Sequence, residues 1–175
     1  MKKKPQKLDI DELRRTTVRL NREISALERS NEALKAEKKI LDEILDNLPG
    51  TFYIWDDSPR LIKWNKRHDE ITEYSPDDYA GMLPTDFFGE DEHQKVVAAV
   101  KKIFTEGGEV TVEATLVTKS GKRIPHVYTA KRTMMGDKPA LMGFGIDISN
   151  QKEAEHQLRD ALSEVEALKS QLEAD

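Results

Sequence analysis

The chain has 175 residues, 28 basic against 33 acidic side chains for a formal net charge of −5, and no cysteine. The missing thiols exclude disulfides, thiolate zinc sites, cysteine nucleophiles and cysteinyl–flavin photochemistry, and no apolar run approaches the length of a membrane span or forms a secretory signal. Basic and acidic residues number 12 and 10 in 1–48, 13 and 16 in 49–147, and 3 and 7 in 148–175, which makes no strong field for direct nucleic-acid or membrane binding, and a cytoplasmic location is expected.

Residues 1–7 read as a short basic tail. From 8 to 48, leucines recur every seventh residue at Leu13, Leu20, Leu27, Leu34, Leu41 and Leu48. The residues three before each leucine include Ile24, Asn31 and Leu45, so the pattern is an a/d seam with leucine at d. A narrow apolar stripe on a helix needs a partner stripe to leave water. Leucine at d with Ile24 and Leu45 at a fits two strands, and polar Asn31 and Lys38 at a fix register. The segment is therefore expected to be one arm of a parallel homodimer. Glu23 with Glu28 and Glu37 with Asp42 are like-charged across that interface, which predicts moderate stability for the coil alone.

Pro49-Gly50 should stop this helix. Residues 49–149 then read as one domain of about 100 residues, a common domain size. Thr51 to Trp55 is aromatic and β-branched, hence a strand; Asp56-Asp57-Ser58-Pro59 turns the chain, and Leu61 to Trp64 returns. Ser75-Pro76-Asp77-Asp78 is a helix start with Ser75 as N-cap, and Gly81 is placed to end that helix. Residues 91–104 carry Val96, Val97, Val100, Ile103 and Phe104 at helical spacing, and Gly107-Gly108 terminates them. The period then changes to two. Val110 to Leu116 alternates, Lys119 to Lys122 turns, Arg123 to Met134 returns, Gly136 to Pro139 turns again, and Met142, Phe144, Ile146 and Ile148 line one face of a last strand. Helices lying between two groups of antiparallel strands indicate an α+β domain with a five-stranded antiparallel sheet and helices on one face. Residues 150–175 form a second long helix with a seam at Ala154, Leu158, Ala161, Val165, Leu168 and Leu172. That pattern stops in mid-seam, so a connector leading to an output domain is expected.

Several short motifs in the middle share an order. Asn65 follows the second strand, Glu73-Tyr74-Ser75 precedes the capped helix, and Gly81-Met82 ends it. Asp86-Phe87-Phe88, the Thr118-to-Lys122 hairpin with Ile124-Pro125, and Gly145-Ile146-Asp147-Ile148-Ser149 leading into Lys152-Glu153-Ala154-Glu155 come after. From Leu48 to Glu155 this order resembles a PAS domain with its C-terminal PAC motif, flanked by coiled-coil helices. The resemblance implies a non-enzymatic sensory and dimerisation module of a bacterial-type signalling protein. Its output would be a transcription activator, a histidine kinase or a diguanylate cyclase. It also implies a small-molecule pocket between the inner sheet face and the helices, for which Ile54, Trp64, Tyr74, Phe87, Phe88, Val100, Phe104, Tyr128, Met142 and Phe144 are the candidate lining. Signal transmission falls to Asp147 and Ser149 at the junction with the last helix. No catalytic constellation and no metal site is expected. The first expectation for a cofactor is none, with haem or non-covalent flavin as the alternative; His93 would be the residue nearest to a haem ligand. A dimerisation scaffold without ligand is the reading from a different functional class.

His68, in the run Lys66 to Glu70, reads as solvated, and His126 as a core residue. His156 reads as an exposed helix residue.

Overall fold

A computed structural model describes residues 10–174, with side chains through Gln171. The basic tail of 1–7 and the side chain of Leu172 lie outside the described residues. Helix α1 spans Ile10–Asp46 and is followed by strands β1 (Thr51–Asp56) and β2 (Leu61–Trp64), helix α2 (Lys66–Thr72), three 3-10 turns, and helix α3 (His93–Glu106). Strands β3 (Glu109–Val117), β4 (Arg123–Met135) and β5 (Lys138–Asp147) then form a meander, and α4 (Ser149–Ala174) leaves from the end of β5. The sheet order is β2-β1-β5-β4-β3 with every neighbouring pair antiparallel. The last strand therefore lies in the centre, between the two hairpin groups. This is the α+β arrangement expected from the change in period.

Two compact units divide the chain, residues 1–44 and 45–175. In the first, α1 has no buried residue. Its seam positions Leu13, Leu20, Ile24, Leu27, Leu34 and Leu41 are between 46% and 69% exposed, and Asn31 is exposed with them. Exposed ion pairs such as Arg19–Glu23 and Lys39–Glu43 run along the helix surface and add only tenths of a kcal/mol each.

In the second unit the sheet is covered on both faces. On one face Trp55, Tyr79, Phe87, Ile103, Leu116, Ile124, Ala130 and Leu141 form the main core. On the other, Phe52, Ile54 and Ala140 are buried, and Leu45, Leu48, Met142 and Phe144 pack against them. This corrects two expectations. Leu45 and Leu48 were assigned to the dimer seam but are used within the chain, as the helix end turns onto the sheet. Ile54, Met142 and Phe144 were assigned to the pocket but belong to the opposite face. The break between helix and sheet is tight: a Cβ at Gly50 would collide with the backbone carbonyl of Gly145. Only a residue without a side chain lets the strand start so close to β5.

Smaller differences have local causes. The segment after Ser75 is a single 3-10 turn, Pro76–Tyr79, held by Asp78 Oδ2 accepting from both the Ser75 amide and its hydroxyl. Residues 90–92 form another 3-10 turn before α3 begins at His93. Val97 points outward, 53% exposed, although its neighbour Val96 is buried.

Candidate functional site: a small internal cavity

Between the inner sheet face and the helices lies a cavity of about 70 Å³. Thr51, Tyr53 and Trp55 of β1, alternating with the outward pair Phe52 and Ile54, supply one wall, and Leu141, Tyr128, Ala130 and the β3 residues Val110, Val112 and Leu116 supply the floor. His68 and Thr72 of α2, with Pro84, Phe87, Phe88, Ala99, Val100 and Ile103, close it from the helical side. None of these residues carries a formal charge.

The room for the tyrosine rings comes from two glycines of β5. A side chain at Gly143 would run into the Tyr53 ring, and one at Gly145 would lie 2.6 Å from Thr51 Oγ1 and from Tyr128 Cε1. Tyr53 and Tyr128 thus lie over the central strand, 6.4 Å apart between ring centroids. Burial pushes both phenols above their ordinary range, so both stay protonated. The Tyr128 hydroxyl is buried without a hydrogen-bond partner among the described residues.

His68 is 4% exposed, which corrects the expectation that it is solvated. The charged run around it lies on a helix whose inner side is set by Asn65, the cap that accepts from the His68 amide, so the histidine turns inward while its neighbours face water. The Tyr79 hydroxyl donates to Asp69 Oδ1 at 2.7 Å. Its oxygen is therefore the acceptor for His68 Nδ1 at 3.1 Å, which places the imidazole proton on Nδ1 and leaves Nε2 as an acceptor. The Thr72 hydroxyl is spent on the His68 carbonyl at 2.7 Å. Desolvation holds the His68 pKa down to about 4.

That shift has a measurable consequence. Between its ordinary pKa near 6.5 and about 4, the unfolded chain protonates His68 and the folded one does not. The folded state therefore loses stability as pH falls through this window, by about 3 kcal/mol in full. Buried His126, also held down by desolvation, adds in the same direction. The carboxylates held low, such as Asp78 and Glu73 by their hydrogen bonds, act only at lower pH. Unfolding curves at pH 7 and pH 5 should show the loss, and the His68 ring resonances should titrate near 4; a midpoint near 6.5 would mean that the ring is open to water.

Of the pocket candidates, Phe87, Phe88, Val100 and Tyr128 border the cavity. Trp64, Tyr74 and Phe104 are half-buried and pack against the main core instead: Trp64 stacks edge-on to Tyr79 at 4.9 Å, and Tyr74 sits under Lys119. Thr51, Tyr53, His68 and Thr72 line the cavity without having been singled out. Strand parity groups Thr51 and Tyr53 with Trp55 without saying which face looks inward, and the four-residue spacing of His68 and Thr72 was the available signal on α2.

The residues present do not fit a haem or a flavin. The cavity is far below the roughly 300–1,000 Å³ of pockets that enclose drug-sized molecules. His93 opens α3 with its Nε2 set against the Phe88 carbonyl at 3.1 Å and is not among the residues lining the cavity. Among the described residues no helix is long and apolar enough to cross a membrane.

At the far end of β5, Asp147 lies opposite His126 of β4. Its Oδ1 accepts from the Ser149 amide at 2.7 Å. Partial burial works to raise the Asp147 pKa, but the Ser149 hydrogen bonds outweigh it and hold the carboxyl ionised. Ile148 N donates to Pro125 O, and Lys152 of α4 pairs with Glu113 of β3 at 2.7 Å. His156 of α4 is exposed, with Nδ1 2.9 Å from Asp160 Oδ2.

Comparison with known proteins agrees with this architecture. No curated protein matches the sequence. Among solved structures, the PAS domain of an HTR-like protein from Haloarcula marismortui superposes with a TM-score of 0.62 at 14% identity, covering 69% of this chain and 99% of that one. A PAS domain from Colwellia psychrerythraea gives 0.57 at 16%, covering 64% and 97%. A domain of a sensory box sensor histidine kinase/response regulator from Geobacter sulfurreducens gives 0.55 at 15%, covering 65% and 96%. At these identities the likeness is one of fold. The family model for the PAS fold matches residues 39–148, well over half of the chain, and the chain belongs to that family.

Proposed function

We propose that this chain is the sensory and dimerisation part of a cytoplasmic signalling protein and has no enzymatic activity of its own. A small molecule in the cavity, or a partner on the domain, biases the geometry of a parallel dimer of the flanking helices, and α4 passes that bias to an output domain. The observation that carries this reading is the continuity of β5. One strand floors the cavity, through Leu141 and the glycines under Tyr53 and Tyr128, and runs straight into α4 through Asp147 and Ser149. A ligand that prefers one packing of those rings shifts the equilibrium of the junction by its differential affinity. Sensor histidine kinases supply relatives of like fold, and such a kinase or a transcription activator is the output we favour.

The chain has no cysteine, so His156→Cys gives a single site for a spin label on α4. In the full chain we expect an inter-protomer distance whose distribution shifts when Gly143→Ala displaces the Tyr53 ring. An unchanged distribution would sink the coupling and favour the scaffold without ligand, a reading that the small size of the cavity supports. Absence of any inter-protomer signal would sink the dimer.

A further inference from the structure

An apolar groove on the surface shares a wall with the cavity. Its lining runs from Pro59 and Leu83 across Pro84 to Val97, Val100 and Lys101 of α3. Pro84 and Val100 also line the cavity, so these two residues belong to the partition between the spaces. Leu83 and Val97 are 46% and 53% exposed, which leaves adjoining apolar surface in water at the outer side. Lys101 is the one charged residue among the described residues that line the groove, and it is exposed.

One side of the partition is a segment tied to itself. Pro84 opens the 3-10 turn Pro84–Phe87 and has no N–H with which to anchor it. Leu83 N donates to Asp86 Oδ2 at 2.8 Å, and Asp86 N donates to Leu83 O at 3.0 Å. The turn can therefore shift as a unit with those bonds intact.

Size and charge then define a ligand. Measured against the roughly 150 Å³ that holds benzene, a cavity of about 70 Å³ takes about three non-hydrogen atoms. The groove adds about 270 Å³, and the two together reach the lower end of the roughly 300–1,000 Å³ of small-molecule sites. No lysine, arginine, aspartate or glutamate lines the cavity, so a charged group inside it would find no counter-charge.

Resting on the reading of the cavity as a ligand site, we infer that groove and cavity form one slot for a medium-chain carboxylate. Its alkyl end passes between Pro84 and Val100 to lie against Phe87, Ile103 and Leu141, and its carboxylate stays in water at the mouth beside Lys101. Burial of the methylenes supplies the free energy, and the ionised end keeps its hydration. The open slot is a minor arrangement that its ligand makes dominant.

The test uses the full chain with octanoate, 1-octanol and octylammonium, which share an alkyl chain and differ in the head, and xenon as a probe of the inner space. We expect octanoate to bind most tightly, with intermolecular NOEs from its terminal methyl to Ile103 and Leu141 and from its C2 methylene to Val97. Lys101→Glu replaces attraction by repulsion on an exposed side chain, and should weaken octanoate roughly three- to tenfold while leaving octanol unchanged. NOEs confined to Leu83 and Val97 would show that the partition stays shut, and would overturn the slot. Tighter binding of octanol or octylammonium, or octanoate binding indifferent to Lys101→Glu, would overturn the carboxylate class. Xenon in the cavity without octanoate binding would overturn the slot and keep the cavity as a site for something smaller. Silence of every probe, xenon included, would overturn the ligand reading itself.

Discussion

Asn65→Ala is expected to lower the stability of the domain by about 3–5 kcal/mol, the largest effect of any single side chain here. Asn65 is 1% exposed and uses its whole hydrogen-bonding capacity. Its Oδ1 accepts from Phe52 N at 2.9 Å and from His68 N at 3.0 Å, and its Nδ2 donates to Leu45 O and Gly50 O, each at 2.9 Å. One amide thus ties the end of α1, the Pro49-Gly50 break, β1 and the start of α2. Alanine strips the side-chain partner from Phe52 N and Gly50 O, and each buried group left unmatched costs about 1–3 kcal/mol. Leu45 O retains Leu48 N at 3.2 Å and His68 N retains the Asn65 carbonyl at 3.0 Å, so those two bonds are lost at smaller cost. Asn65→Asp separates hydrogen bonding from volume. It has nearly the same shape, but turns an acceptor toward two carbonyl oxygens and should be at least as damaging near pH 7. Urea unfolding should show a fall in midpoint at constant slope for both variants. An aspartate variant within 1 kcal/mol of the parent would mean that the network is not what holds this corner.

Much of this corner was legible in the sequence, and the reason is local. Pro49-Gly50 stops a helix by covalent geometry, Ser75-Pro76 opens a single 3-10 turn, and the change from spacing of 3.6 to 2 after Gly107-Gly108 announces the three-stranded meander. These signals need only neighbouring residues. The faces of the sheet were harder. Thr51 to Trp55 is apolar on both sides because β1 is covered on both sides, by the cavity and helices on one and by Leu45, Leu48, Met142 and Phe144 on the other. With no polar face, alternation cannot say which set looks inward, and Ile54, Met142 and Phe144 were assigned to the wrong side. His68 was hidden for the opposite reason: its neighbours Lys66, Arg67 and Glu70 are charged and solvated, and only the capped helix turns the ring inward. Gly143 and Gly145 matter through what rests on them, Tyr53 and Tyr128, and those contacts join residues far apart in the chain.

Leu27→Asp combined with Leu34→Asp should turn the dimer we propose into a monomer across the micromolar range. Along α1 the two leucines are 69% and 61% exposed, two turns of a stripe that the isolated helix has no means to bury. An exposed leucine gains about 1.5–3 kcal/mol on full burial, and the d positions of a two-stranded coil bury it twice, once per chain. The double variant removes four such side chains from the interface and sets carboxylates against carboxylates at its middle. A loss of half of that free energy, about 3–6 kcal/mol, raises the dissociation constant by about a hundredfold to ten-thousandfold. The substitutions lie in residues 1–44, outside the compact unit of 45–175, so the domain should keep its unfolding midpoint at low concentration. Sedimentation of parent and variant at matched concentrations reads the outcome. A variant that stays dimeric would move assembly from α1 to the domain or to α4, where Leu158, Val165 and Leu168 are exposed in the same way. Because Leu45 and Leu48 pack on the domain's own sheet, a coil through α1 must end before them, at Leu41.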